Sequence, residues 1–158
     1  MNLFTTQLTV VPEWIDHNGH MNVAFFVLAF DVATDSVYET WGLGEHYPEN
    51  SGCSVFTLGM DVDYHAELFE DDRITVTTQL LDWDQKRIHY YHRLVNDATG
   101  KLTAVNECLA MNVDLKTRRA SGFPEEVQTQ LRTAFAAQGD LEKPEKSGRR
   151  LSIRRGRK

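Results

Sequence analysis

Apolar residues recur along this chain with two different periods, and the changes of period divide it into elements. Leu3 to Val11 is rich in Leu, Thr and Val, which is strand composition, and Pro12 ends the run because it has no N–H to give a ladder. From Val23 to Trp41 the period is helical. Phe26, Phe30, Ala33, Val37 and Trp41 follow one another at steps of 4, 3, 4 and 4, while Asp31, Asp35 and Glu39 share another face. Gly42 and Gly44 stop this helix. It is the longest and most apolar in the chain, so it is expected to be buried over most of its length. Alternation then returns. Phe56, Leu58, Met60, Val62 and Tyr64 predict a strand, and Ile74, Val76, Thr78 and Leu80 predict a second, from about Ile74 to Asp82. A third covers roughly Arg87 to Val95 and leaves through the turn residues Asp97-Ala98-Thr99-Gly100. The last, Leu102 to Leu115, places Val105, Leu109, Met111, Val113 and Leu115 largely on one face. Pro124 opens a short amphipathic helix carrying Val127, Leu131 and Phe135, at a first-turn position where its missing N–H costs nothing.

The order strand, long helix, four strands, short helix, with short connections between consecutive strands, predicts an α+β fold. Its core is a curved antiparallel sheet of about five strands with the long helix across one face. One helix cannot cover the sheet edges, and an exposed edge strand is a liability, so the pattern predicts a dimer.

The 158 residues are the size of one domain with a real core, and 41% hydrophobic with 25% charged residues is a globular composition. The longest apolar run, Val23 to Phe30, has eight residues, against roughly 20 for a membrane helix. Glu13 and Asp16 arrive early and no basic segment precedes an apolar stretch, so no signal peptide is expected and the protein is expected to be cytoplasmic. Cys53 and Cys108 are too few for a disulfide scaffold, share no metal-ligand spacing, and read as core-filling thiols. The net charge of -6 hides an asymmetry: residues 140–158 hold eight Lys and Arg against three acidic residues, leaving nine basic against twenty acidic residues in the rest. So acidic a body argues against a nucleic-acid partner. Residues 1–138 are expected to form the folded domain, and 139–158 a basic, disordered, solvated tail.

The densest polar signal is Pro12-Glu13-Trp14-Ile15-Asp16-His17-Asn18-Gly19-His20-Met21-Asn22, between the first strand and the long helix. A helix N-terminus offers unpaired backbone N–H groups and the positive end of a dipole, and so can stabilise an oxygen that becomes negative during a reaction. Asp16, just upstream, either caps a turn or acts as nucleophile or general base toward a carbonyl held there. Asn22 is placed to cap the helix. His17 and His20 are three residues apart, but no further Cys or His completes a metal site, so none is expected. Asp82, Asp84, Lys86 and Arg87 sit at a hairpin turn, where charges are ordinary.

Asp16-His17-Asn18-Gly19-His20-Met21-Asn22 resembles the Asp-x-x-Gly-His-[Val/Met]-Asn signature of hotdog-fold acyl-CoA thioesterases of the 4-hydroxybenzoyl-CoA type, and the resemblance covers about residues 3–133. It implies a hotdog fold, in which the sheet wraps around the long helix. Within that superfamily Pro12 to Asn22, and the stretch Leu80 to Arg87, look closest to the thioesterases of carnitine and betaine catabolism, which hydrolyse betainyl-CoA. The resemblance further implies that Asp16 is the catalytic carboxylate and that the Val23 backbone N–H faces the thioester carbonyl. His20 would orient Asp16 or line the site. Asn22, Trp14, Lys86 and Arg87 are the residues expected at the substrate, Lys86 standing where the family has a basic cluster for the nucleotide phosphates; Asp84 and Gln85 depart from that cluster. No cofactor is implied, coenzyme A being part of the substrate. The active sites would lie between two subunits of a homodimer or a dimer of dimers. A quaternary ammonium acyl group would need aromatic faces and carboxylates, for which Trp14, Trp41 and Tyr64 are candidates. Two alternatives remain at this point. One is an enoyl-CoA hydratase, faintly echoed by Asp16-His17-Asn18-Gly19-His20; the other is a non-catalytic acyl-CoA-binding module.

Overall fold

The structure, a computed structural model, describes residues 3–155. In chain order its elements are β1 (Phe4–Thr9), a single 3-10 turn (Pro12–Trp14), α1 (Val23–Thr40), α2 (Tyr47–Ser51), β2 (Cys53–Tyr64), β3 (Arg73–Trp83), β4 (Arg87–Asn96), β5 (Leu102–Asp114), β6 (Arg119–Ala120) and α3 (Glu125–Ala137). The strands form one antiparallel sheet in the order β1-β3-β4-β5-β2, with the two-residue β6 beside β5. This is the α+β hotdog arrangement that the sequence implies.

Helix α1 crosses one face of the sheet. Phe26, Phe30 and Ala33 pack on Ile74, Val76, Leu94 and Ala104, while Val37 and Trp41 pack on Leu80, Ile88, Tyr90, Cys108 and Ala110 together with Val127 and Leu131 of α3. The stripe read from the sequence is therefore the buried one, but burial stops at that stripe: Asp31, Asp35 and Glu39 are exposed, and so are Val23 and Leu28. On β5 the helix side carries the small residues Ala104, Cys108 and Ala110, which let the helix approach the sheet closely. The bulkier Val105 turns outward, to a small cluster with Leu81 and Tyr91. Burial pushes the Cys108 thiol up to about 12, in keeping with an inert core thiol.

The strict alternation expected over Phe56 to Tyr64 is interrupted. Phe56 stands opposite Met111 and Met60 opposite Cys108, with a register shift between Thr57 and Gly59. Four steps on β2 thus match three on β5, and Phe56 and Met60 lie on opposite faces, as a bulge requires. Strand β2 is also a free edge, with Phe56, Leu58, Met60 and Tyr64 all at least 40% exposed.

The C-terminal segment departs from the expectation of a solvated tail; Gly156 to Lys158 lie outside the described residues. From 139 to 155 it has no helix or strand, but it crosses the outer face of the sheet. Gln79 on β3 donates to the Glu142 carbonyl, the Gly148 N–H donates to Glu107 on β5 at 2.6 Å, and Arg150 pairs with Asp61 on β2 at 2.7 Å. Arg155 returns to β3 and holds both oxygens of Asp82 at 2.8 Å. Partial burial alone would raise the Asp82 carboxyl pKa, yet these bonds and the guanidinium charge hold it below the usual carboxylate range. Beneath the segment lies a buried His89–Glu107 pair at 2.6 Å, and Ile153 is itself buried. Removing residues 139–158 is therefore expected to cost about 2 kcal/mol, the order of one buried aliphatic side chain, with a matching fall in the urea midpoint. An unchanged midpoint would show that the segment contributes nothing to the fold.

Candidate active site

The chain between β1 and α1 closes on itself. The Gly19 N–H donates to the Asp16 carbonyl and the Asp16 N–H to the His20 carbonyl, each at 3.0 Å, and Ile15 bridges Met21. Gly19 has φ +80°, and a Cβ there would meet nothing within 4 Å, so it is the backbone conformation and not space that calls for glycine. Two further bonds anchor the loop: Met21 N–H to the Leu68 carbonyl and Asn22 N–H to the Trp14 carbonyl, both at 2.8 Å.

The two oxygens of the Asp16 carboxylate have different partners. Its Oδ1 accepts from the Asn18 N–H at 2.8 Å and caps the turn. Its Oδ2 faces Asn22 Nδ2 at 3.4 Å and His20 Nε2 at 3.8 Å. Asn22 is the N-cap of α1, its side-chain oxygen accepting from the Ala24 N–H at 2.9 Å. The Phe25 N–H is taken by the Asn22 carbonyl, which leaves the Val23 N–H, first in the helix, without a partner among the described residues. His20 Nδ1 meets Glu67 Oε1 at 2.9 Å, so one imidazole stands between two carboxylates. Asp16, His20, Asn22, Val23, Phe26, Tyr64 and Glu67 line one cleft of about 390 Å³. A larger groove of about 540 Å³, between α1 and the start of β2, is lined by Asp35, Tyr38, Glu39 and Val55 and holds no imidazole. Asp16 and the imidazole it faces line the smaller one.

The other expected residues lie elsewhere. Trp14 stacks on Phe25 at 6.0 Å between centroids and is not among the cleft residues. Trp41 is buried in the core against Tyr38 and Tyr90. His17 is exposed. Lys86 and Arg87 occupy the β3–β4 hairpin, where Arg87 pairs with Met111 across the ladder, whereas Tyr64 at the cleft pairs with Ala104. Seven residues of β5 separate these positions, about 23 Å. Arg87 is moreover committed to Asp84 Oδ2, at 3.0 Å from Nε and 2.6 Å from Nη2. Burial acts to raise the Asp84 carboxyl pKa, but this guanidinium and the Lys86 and Arg87 N–H groups hold it low. Among the described residues no group of three His, Cys, Asp or Glu is placed to hold a metal, and no helix is long and apolar enough to cross a membrane. Glu67 escaped the sequence reading: it lies 47 residues from His20 in a loop whose charge pattern is ordinary.

A carboxylate in one cleft with a helix-terminal N–H that has no partner among the described residues suits attack on an already activated carbonyl such as a thioester. Residues 10–131 match the thioesterase-like superfamily. The chain is 36% identical to the betainyl-CoA thioesterase of Pseudomonas aeruginosa over 96% of its own length and 95% of that protein. It is 29% identical to the L-carnitine dehydrogenase/betainyl-CoA thioesterase of Rhizobium meliloti, matching 92% of this chain but 29% of that longer protein. Among solved structures, a Staphylococcus aureus protein determined in complex with CoA superposes with a TM-score of 0.88 at 34% identity, covering 97% of this chain and 96% of that one. The chain belongs to the thioesterase-like superfamily and is a thioester hydrolase.

Proposed function

We propose that this acyl-CoA thioesterase hydrolyses betainyl-CoA to betaine and free CoA, with Asp16 as the catalytic carboxylate and the Val23 N–H as oxyanion donor. The observation that carries the site is that Asp16 lines one cleft with Val23, whose N–H has no partner among the described residues. The 36% identity to the Pseudomonas aeruginosa enzyme, almost end to end, supports the acyl group. With the thioester oxygen on the Val23 N–H, Asp16 Oδ2 either takes a proton from water as that water attacks, or attacks the carbonyl carbon itself. In the first route the tetrahedral intermediate collapses with C–S cleavage, and the proton from water goes to the leaving thiolate. In the second, thiolate leaves first and water then cleaves the acyl–Asp16 anhydride. Both consume one water and give one carboxylate, one thiol and one released proton. Asn22 braces Oδ2 while capping the helix that supplies the donor. His20, held by Glu67, stands with Nε2 3.8 Å from Asp16 Oδ2.

The cleft is only part of the site, and the free β2 edge supplies the remainder. Antiparallel pairing of β2 with a second copy brings the Tyr64 end of one strand beside the Cys53 end of the other, and with it the partner's Lys86, whose hairpin sits over that end of the sheet through the Asn112 N–H to Lys86 carbonyl bond. Exposed Lys86 is then available to the CoA phosphates across the dimer, while Arg87 remains tied to Asp84. Sedimentation equilibrium is expected to give a dimer, and Leu58→Lys with Met60→Lys to give a monomer with little turnover. A fully active monomeric wild type would overturn this assembly. For the substrate, thiol release is measured on betainyl-, 4-hydroxybenzoyl-, short-chain and long-chain acyl-CoA. Betainyl-CoA is expected to be cleaved fastest; faster release from any other ester replaces the acyl assignment.

A further inference from the structure

In a betainyl thioester one methylene separates the carbonyl carbon from the quaternary nitrogen, which places the two about 2.5 Å apart. A carbonyl held between Asp16 and the Val23 N–H therefore fixes the trimethylammonium group inside the same cleft. We infer that Tyr64 and Glu67, on the wall formed by the end of β2 and the loop after it, are the subsite that recognises this cation. The inference rests on the betainyl-CoA reading and adds the residues that make it selective.

Tyr64 lies over the start of α1. Its hydroxyl donates to the Val23 carbonyl at 3.3 Å, and its ring meets Phe26 edge-on, with centroids 5.3 Å apart and planes at 90°. These two contacts fix the ring over the first turn of α1. Tyr64 is 44% exposed and lines the cleft, whereas Phe26 is buried beneath it, so an aromatic surface is left for a ligand. A trimethylammonium group has no N–H to donate and is weakly hydrated, so an aromatic face and a nearby carboxylate are its best partners. Glu67 supplies that carboxylate: one oxygen is taken by His20 Nδ1 at 2.9 Å, and its side chain is 65% exposed and lines the cleft. Neither Trp14 nor Trp41 has this position.

The test compares betainyl-CoA with 3,3-dimethylbutyryl-CoA, in which carbon replaces the quaternary nitrogen at the same shape. The readout is the ratio of their kcat/KM values within each variant, so any common loss of folded or active protein cancels. The wild type is expected to favour the cation about a hundredfold, and Tyr64→Leu and Glu67→Gln each to lower that ratio about tenfold. Tyr64→Phe, which keeps the ring, is expected to hold the ratio within about threefold of wild type. A wild-type ratio retained in both Tyr64→Leu and Glu67→Gln overturns the subsite and leaves the betainyl-CoA reading standing. A wild type that does not prefer the cation overturns that reading itself.

Discussion

Asp16→Asn is expected to lower kcat for thioester hydrolysis by about a hundredfold to ten-thousandfold, with little change in KM. The substitution isolates chemistry from structure. The asparagine Oδ1 still accepts from the Asn18 N–H, so the turn keeps its cap, and only Oδ2 is exchanged, for an amide nitrogen that neither attacks a carbonyl nor accepts a proton. Thiol release from the preferred ester, measured beside the wild type, reads the effect, and equal rates would remove Asp16 from the reaction. Val23→Pro probes the other half of the site. Proline at the first helical position is well tolerated, and Asn22 before it already has φ -65° and ψ 146°, the extended conformation that proline demands of its predecessor. This variant deletes one N–H and is expected to lower kcat about a hundredfold, as loss of an oxyanion donor does. Label on Asp16 after a single turnover in ¹⁸O-water would show direct attack with water cleaving the anhydride at the Asp16 carboxyl carbon; a general base leaves label only in the product acid.

The parts of this site that could be read from the sequence are the local ones. Asp16, Gly19, His20 and Asn22 fall within seven residues, and the turn and cap that they form depend on backbone geometry over that span alone. The buried stripe of α1 was legible for the same reason, since a helix converts spacing directly into a face. What depended on distant pairing was not. Glu67 reaches His20 only because Met21 is bonded to the Leu68 carbonyl across the fold, a register that no short pattern encodes. The sequence grouped Val105, Leu109, Met111, Val113 and Leu115 largely on one face of β5 without saying which face meets the helix; close approach of α1 selects the small residues Ala104, Cys108 and Ala110. The tail read as solvated because it has few apolar residues. Its docking uses those few together with Arg150 and Arg155 against Asp61 and Asp82, carboxylates that the sheet, and not the sequence, brings beneath it.

The wild type is expected to lose stability between pH 7 and pH 4 more steeply than a His92→Gln variant, by about 3 kcal/mol over that interval. His92 is fully buried on the helix side of β4, stacked on Phe30 at 5.6 Å, and burial pushes its pKa from 6.5 down to about 3. Its hydrogen bonds fix one neutral form. The Thr34 hydroxyl spends its proton on the Phe30 carbonyl at 3.0 Å, so it accepts from His92 Nε2–H, and Nδ1 is left to accept from the Thr78 hydroxyl at 2.9 Å. A proton on Nδ1 would meet a hydroxyl already pointing at it, in a core where neither threonine carries a charge to offset the imidazolium. The unfolded chain has no such constraint and takes up that proton near pH 6.5. Between the two pKa values the unfolded state therefore binds one more proton than the folded state. The contribution is complete above pH 6.5 and declines as pH falls through the window toward 3. Glutamine keeps a donor and an acceptor for the threonines but does not titrate, so His92→Gln should start lower at pH 7 and decline less with acid. Urea unfolding of both proteins at pH 7, 5.5 and 4 gives the two curves, and parallel curves would mean that the imidazole is not held neutral by its burial.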